Sequence, residues 1–372
     1  MISQFKSVVG RMISLGYRRR YIQGYGKFYR NMRKSIAINE EMQSSTLLAE
    51  YRNKWAPIEK NCKTDAFQIY SSENGKIDLN YVPDYLYDLP IKCILLDRRT
   101  SPAYSDKNSY GYRLNGYANL FPDTLLRKMR GIYRSPDYSK INNLVGYISS
   151  IDEDKVVAKV AVDSAGGLGV AVFSKNRKNS IYTNDNGVEL LSWMNGKEDV
   201  IVQKMCTQSS YFTKLNSSSV NTIRIVTYRS VKTEEIHITH SLIRVGASGS
   251  NVDNWHSGGL IVGIQPNGKL KDYGFNAYFE KIPLHTESQE VPCLKEIKDI
   301  AKEIGKKHLH HRMLSFDFYI DDQNSPKIME INYDVSPWFQ LVCGPLYGEF
   351  TDEVISYCAD RVGYLPLSVP IK

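Results

Sequence analysis

Polar and apolar residues alternate with a period of two through much of the chain after residue 155. The runs "VVAKVAV", "VAVFS", "VIVQKM", "TIRIVTY", "IHITHSLIRV" and "GGLIVGI" each predict a strand. Helical spacing is rarer. Residues 40–55, "EEMQSSTLLAEYRNKW", place Leu47, Leu48, Tyr51 and Trp55 on one side. Residues 292–310 repeat the pattern with Leu294, Ile297, Ala301 and Ile304, and a short helix is expected near 349–361. Between 65 and 100, "FQIYS" and "CILL" predict two further short strands, and "YSDKNSYGYRLNGYANLFPDT" is polar and irregular. No repeat or low-complexity tract interrupts the chain. Helices and strands are mixed, strands dominate, and there is no steady βαβ alternation.

One hairpin in this pattern carries a conflict. In "SFDFYIDDQNSPKIMEIN", residues 315–332, Phe316, Phe318 and Ile320 alternate with polar residues, as do Met329 and Ile331 around the turn-forming "DDQNSP". Pairing residue 320 with 327 sets Asp317 opposite Glu330, and Asn332 shares their face. Like charges opposed across a ladder weaken it, so neutralising Glu330 is expected to be neutral or slightly stabilising without a metal. A divalent cation between the acids would reverse the sign of the interaction. Asp317, Glu330 and Asn332 are all oxygen donors, the set that Mg²⁺ prefers. The alternative is a surface hairpin whose acids point into water.

A second candidate is the Gly-rich stretch "VVAKVAVDSAGGLGVAVF", residues 156–173. Gly166, Gly167 and Gly169 permit positive φ and let backbone amides converge on an anion, with Ser164 beside them. Lys159 shares a strand face with Val157 and Ala161, from which an ammonium reaches toward such a loop. No helix follows and no Gly-Lys-Ser/Thr is present, so the stretch is neither a Rossmann fingerprint nor a Walker A loop. A plain glycine-rich hairpin is the competing reading.

Composition narrows the class without naming it. With 372 residues, 42% hydrophobic and 24% charged, the chain is large enough for two or three subdomains around a substantial core. No apolar run approaches the roughly 18 residues needed to span a bilayer. The N-terminal arginines follow the short apolar stretch instead of preceding it, unlike a secretory signal. Six scattered cysteines form no CxxC pair, which suits a reducing cytoplasm and offers no zinc motif. Charge is uneven. Residues 1–34 hold nine basic side chains and no acid; removing those nine charges from the formal +8 leaves the other 338 residues at −1. Tyr17, Tyr21, Tyr25, Phe28 and Tyr29 interleave with the basic residues, as in a segment that meets an anionic membrane, a polysaccharide carrier or nucleic acid. A solvated helix packed on its own domain fits the same pattern, and nucleic acid is the least favoured partner.

Taken in order, "KVAVDSAGGLGV", "VIVQKMC", "NTIRIVT", "LIRVG", "VDNWHSGGLIVGI", "FDF" and "MEIN" resemble the ATP-grasp superfamily. Within it the chain is most similar to the sugar-transfer-associated ATP-grasp proteins of surface-polysaccharide gene clusters, through "SVNTIRIVTY", "VDNWHSGGL" and the terminal Asp…Glu-x-Asn. The resemblance covers roughly residues 100–350. It implies an α+β fold with two α+β lobes enclosing ATP, a mobile Gly-rich lid, and a helical, basic N-terminal extension. The subdomains expected are 1–55, 56–122, 123–205 and 206–372.

By position, the resemblance makes Lys107 and Lys159 the nucleotide-contacting lysines and "VQKMC" the adenine-binding connection, read by backbone groups of Lys204 and Cys206. Gln203 stands where the family usually has Glu. Asp317, Glu330 and Asn332 would hold two Mg²⁺ ions, while Arg224 and Arg244 would meet a γ-phosphate or substrate carboxylate. Asn221, Asp253, Asn254, His256, Gly258 and Gly259 match the family pattern without an assigned role. The implied activity is a cytoplasmic, ADP-forming carboxylate–amine ligase working through an acyl phosphate. Its small-molecule substrates would be an amine and a sugar-linked carboxylate such as a uronic acid. A phosphotransferase on the same fold and a non-catalytic nucleotide-binding scaffold are the alternatives.

Overall fold

The computed structural model describes residues 19–20, 22–97, 99–162, 169–247, 258–284 and 290–362. Two antiparallel sheets organise them. The smaller has six strands: β1 (Thr124–Met129), β2 (Ile132–Arg134), β3 (Lys155–Val160), β4 (Val170–Asn176), β5 (Ile181–Thr183) and β6 (Val200–Lys204), in the order β2-β1-β6-β3-β4-β5. The larger has seven: β7 (Thr222–Arg229), β8 (Ile236–Val245), β9 (Leu260–Gly263), β10 (Tyr273–Phe275), β11 (Lys281–Pro283), β12 (Met313–Ile320) and β13 (Pro326–Asn332), in the order β11-β10-β9-β8-β7-β12-β13.

Period-two alternation gives each sheet one apolar face that must be covered. Leu126, Val156, Ala158, Phe173 and Val202 of the small sheet pack on Ile148 of the helix Leu144–Ser150 and on Leu190 and Met194 of the helix Leu190–Asn195. In the large sheet, Ile223, Ile225, Ile243, Phe316 and Phe318 receive Ile297, Ala301 and Ile304 of the helix Leu294–Lys306. That helix is shorter than its periodicity predicts. Cys293 precedes it in a left-handed conformation, and the His308 ring Nδ1 lies 2.9 Å from the Ile304 carbonyl oxygen at its end.

The opposite face of the large sheet is covered by the N-terminal region and by the helix Thr351–Ala359. Here two strand predictions fail. "FQIYS" lies inside the helix Asp65–Asn74, because Ala66, Phe67, Ile69 and Tyr70 are all buried, a spacing that only a helix presents to one side. "CILL" is the helix Lys92–Leu95 and its end, with Leu96 making a single bridge to His311. Residues 40–55 form a 3₁₀ turn, Glu40–Gln43, and then the helix Ser45–Trp55, with Tyr51 and Trp55 fully buried. Strand β1 escaped the sequence reading because Arg127 and Lys128 occupy its centre. Both are buried, with Arg127 donating to the Asn108 carbonyl at 3.2 Å and Lys128 to the Met194 carbonyl at 2.9 Å.

The described part of the basic arm is not a detached tail. Residues 22–35 are helical, with Tyr29 and Met32 buried in the core and Phe28 edge-on to Phe279 at 5.1 Å. The tyrosines interleaved among the basic residues therefore face inward at Tyr25, Phe28 and Tyr29. Tyr25 donates to Asp88, and Tyr29 and Tyr70 both donate to the fully buried Asp84. Lys27, Arg30 and Lys34 stay exposed on the outer side. Among the described residues no helix is long and apolar enough to cross a membrane, and all six cysteines are free thiols.

Burial pushes the Asp84 carboxyl up to about 7 against the opposing effect of the two tyrosine hydroxyls. An unfolded aspartate titrates near about 3.9, so folding takes up a proton between the two values. Stability from this group is greatest at low pH and falls as pH rises through that window. The melting temperature of the wild type, measured relative to an Asp84→Asn variant, is expected to fall between about pH 4 and about pH 8. Parallel melting curves across that range would show that Asp84 does not retain its proton.

Candidate functional site

Each sheet turns part of its second face toward a shared cleft. On the small sheet, Arg127, Ile201 and Lys159 form one row across β1, β6 and β3. On the large sheet the corresponding row runs through Leu242, Arg224, Asp317 and Glu330 across β8, β7, β12 and β13. Arg244 lies two residues along β8 from Leu242, and Asn332 two along β13 from Glu330, so both point to the same side.

The hairpin β12–β13 differs from its predicted register. Ile320 pairs with Pro326, not Lys327, and Phe318 pairs with Ile328. A bulge at Met329 then restores the predicted pairing, and Asp317 faces Glu330. The bulge also decides which residues enter the core. Ile328 and Ile331 are buried there, while Met329 is displaced to the cleft side, where its Sδ lies 3.1 Å from the Lys159 Nζ. Sequence alternation had paired Met329 with Ile331; one extra residue breaks that phase.

The two facing acids are neutralised by side chains. Arg224 grips Asp317 with Nε to Oδ1 and a terminal nitrogen to Oδ2, both at 2.6 Å. Arg244 adds a contact at 3.3 Å and the Asn332 amide nitrogen another at 3.2 Å. Burial pushes the Asp317 carboxyl up, but Arg224, Arg244 and Asn332 together hold it below the usual carboxylate range. Phe339 lies against the Arg224 guanidinium, with its centroid 5.4 Å away. Glu330 is paired separately, its Oε1 lying 2.7 Å from the Lys107 Nζ. Lys107 belongs to the small lobe's side of the cleft. Its amide donates to the Ala161 carbonyl just past β3, and the adjacent Asn108 bonds to β1 through the Lys128 and Arg127 contacts. The Lys107–Glu330 pair therefore bridges the lobes.

Beside this charge cluster, a cavity of about 390 Å³ is lined by Lys107, Tyr110, Phe121, Arg127, Gln203 and Lys204 among others. Gln203 is buried and donates through its amide nitrogen to the Pro122 carbonyl at 3.2 Å, which directs its carbonyl oxygen elsewhere. The Lys204 amide donates to the Asp123 carbonyl at 2.9 Å, and its Nζ pairs with Glu153 at 3.0 Å. Cys206 is hydrogen-bonded to the buried Tyr319 hydroxyl. Arg127 was missed by sequence reasoning altogether. It is buried, its Nε has no hydrogen-bond partner, and it carries no recognisable motif.

Of the three glycines in the Gly-rich stretch only Gly169 is described; Ser164, Gly166 and Gly167 lie outside the described residues. Gly169 has φ +80°, its carbonyl accepts from the Val160 amide at 2.8 Å, and a Cβ there would meet Val160 Cγ2 at 2.7 Å. Asp253, Asn254 and His256 also lie outside the described residues. Asn221 acquires a structural role. Fully buried, it donates to Gln208, Phe212 and Asn216 and accepts from the Gly246 amide, tying two connections together.

The donor chemistry fits a hard divalent cation, since two carboxylates and an amide oxygen meet on one face of adjacent strands. No group of three or more His, Cys, Asp or Glu side chains placed to share a metal occurs among the described residues. Any such ion would rest on Asp317, Glu330 and Asn332 with further oxygens supplied from outside.

The family described as sugar-transfer associated ATP-grasp matches residues 95–349. No match was found among curated proteins. Solved structures to which the chain is similar include D-alanyl-alanine synthetase A from Vibrio cholerae, with 11% identity, TM-score 0.40, 70% of this chain covered and 66% of that one. The D-alanine-D-alanine ligase from Coxiella burnetii gives 11%, 0.42, 79% and 67%, and the biotin carboxylase from Campylobacter jejuni 9%, 0.41, 68% and 46%. The chain thus spans about two thirds of the two ligases and under half of the carboxylase. With two antiparallel sheets facing one charged cleft, and a family match over more than half its length, the chain belongs to the sugar-transfer-associated ATP-grasp family.

Proposed function

We propose that the chain is an ATP-dependent, ADP-forming carboxylate–amine ligase. The observation that carries this reading is the convergence of two lysines from the small lobe on the acid-bearing hairpin of the large lobe, Lys107 on Glu330 and Lys159 on the neighbouring Met329. A cleft that offers cations for phosphates and oxygens for a metal is suited to phosphoryl transfer, where catalysis is largely positioning and charge stabilisation. Lys107 and Lys159 hold the phosphates, and the Gly-rich stretch of Ser164, Gly166, Gly167 and Gly169 covers them. Gln203 and the backbone at Lys204 and Cys206 receive the base. Asp317, Glu330 and Asn332 would hold Mg²⁺, two ions in this reading, and the metal would supply neutralisation of phosphate charge.

In the reaction, a carboxylate oxygen of the substrate bonds to the γ-phosphorus and ADP departs. The amine nitrogen then attacks the acyl carbon, loses a proton, and phosphate leaves with its bonding electrons. Arg224 and Arg244 orient the carboxylate or the transferring phosphoryl oxygens. The family's description supports a sugar-linked carboxylate. The exposed Lys27, Arg30 and Lys34 on the outer side of the arm helix support a cytoplasmic enzyme that approaches an anionic membrane or polysaccharide carrier.

An acyl phosphate is a reactive mixed anhydride, whereas a phosphate ester persists. Purified protein supplied with Mg-ATP and a matrix of uronic acids against amino acids is expected to release ADP and phosphate, and added hydroxylamine to give a hydroxamate. A stable phosphorylated sugar without hydroxamate would instead identify a phosphotransferase, and nucleotide binding with no turnover on any acceptor would identify a scaffold.

The ion pair with Lys107 reverses the stability expectation for Glu330. Replacing it leaves a lysine of the cleft, 10% exposed, without its carboxylate. Glu330→Gln is expected to abolish turnover and to lower the stability of the nucleotide-free protein by roughly 1–2 kcal/mol. Chemical denaturation without nucleotide measures the second effect; an unchanged or raised midpoint would mean that the pair contributes nothing.

A further inference from the structure

We propose that Lys107, Arg224 and Arg244 are specificity residues of the metal site, making it refuse a bare divalent cation and accept one that arrives with a polyanion. The inference rests on the nucleotide reading above and assigns these side chains a task before any reaction begins.

The argument is one of charge and occupancy. Both carboxylates that would hold the metal are already engaged. Asp317 accepts two contacts from Arg224 at 2.6 Å and one from Arg244 at 3.3 Å, and Glu330 accepts Lys107 at 2.7 Å. Around these two acids the described residues place four cations, counting Lys159 at the neighbouring Met329. Counted over these named side chains alone, four cations face two acids before a metal enters. A free Mg²⁺ would have to displace an arginine from a bidentate pair in a largely buried setting, while adding two more positive charges.

A polyphosphate changes both terms. Its oxygens give Lys107, Lys159 and the arginines an alternative anionic partner of the kind guanidinium and ammonium groups bind best. Each cation that moves to a phosphate releases an oxygen of Asp317 or Glu330 for the metal. The ion pairs seen here are thus one side of an exchange whose other side is the loaded cleft. Asn332 suits the exchange, because it holds Asp317 through its nitrogen and keeps an amide oxygen as a donor.

The test is nucleotide-free metal binding by the full chain, with Mn²⁺ as a spectroscopically visible probe. Wild type is expected to bind Mn²⁺ roughly tenfold or more tightly when a non-hydrolysable ATP analogue is present. Lys107→Met is expected to strengthen nucleotide-free Mn²⁺ binding by about tenfold, Lys107→Arg to leave it at the wild-type value, and Glu330→Gln added to Lys107→Met to cancel the gain. Arg244→Gln, which leaves the Arg224 pair to hold Asp317, gives an independent reading of the same gain. Equal Mn²⁺ affinity of the wild type with and without the analogue overturns the proposal. So does an unchanged nucleotide-free affinity in both Lys107→Met and Arg244→Gln. If wild type takes up no Mn²⁺ under either condition, the metal assignment itself falls, and this inference with it.

Discussion

A carboxylate buried in the middle of a sheet has to be neutralised, and the way Asp317 is neutralised governs the rest of the site. Four strands that are neighbours in space, β8, β7, β12 and β13, carry Arg244, Arg224, Asp317 and Glu330 in that order. Two positive charges therefore meet two negative ones within a single sheet, and the arginines satisfy only the nearer acid. Glu330, on the edge strand, is left for a cation from elsewhere. Lys107 supplies it from the other lobe, held at the Ala161 carbonyl and at the Asn108 contacts to β1. The cleft is thus organised by electrostatic completion across strands and then across lobes. The cost of leaving any member unpaired is what ties the arrangement together.

Much of this was legible in the sequence where periodicity and burial agree. Strand β8 coincides with the run "IHITHSLIRV", and β3, β4, β6, β7 and β9 each fall within or within a few residues of their alternating segments. Strand β1 was not legible, since Arg127 and Lys128 read as solvent-facing until the Asn108 and Met194 carbonyls are brought to them. The segment "FQIYS" was too short to distinguish a period of two from one of 3.6, and Tyr70 settled the matter by being buried alongside Phe67 and Ile69. The basic arm was ambiguous for a different reason. An aromatic residue every few positions suits a membrane surface and a packed helix alike, and what ties Tyr25 and Tyr29 to the core is a pair of acids, Asp88 and Asp84, more than fifty residues away.

The candidate site shows the same division. Asp317 opposite Glu330 was predicted from a register that is wrong at the turn, and the bulge at Met329 corrects it immediately before the acids meet. No glycine or proline marks that bulge, so nothing in the sequence announces it. The resemblance supplied Lys107, Lys159, Arg224 and Arg244 as a set. It did not supply their mutual pairing, because an ion pair between residues 107 and 330 leaves no trace in any local pattern.

The topology of the large sheet also fixes the order in which its chemistry becomes available. Strands β7 to β11 pair each with its predecessor, so this part of the sheet can close as a meander of local contacts while the chain is still being synthesised. Strand β12 then returns to the far side of β7, bringing Asp317 beside an arginine made long before it, and β13 follows with Glu330 and Asn332. Both arginines exist on a finished hairpin before either acid has left the ribosome. A nascent chain stopped before residue 313 would keep Arg224 and Arg244 and lack both Asp317 and Glu330, so the pairing of opposite charges arrives in a single step with the last two strands.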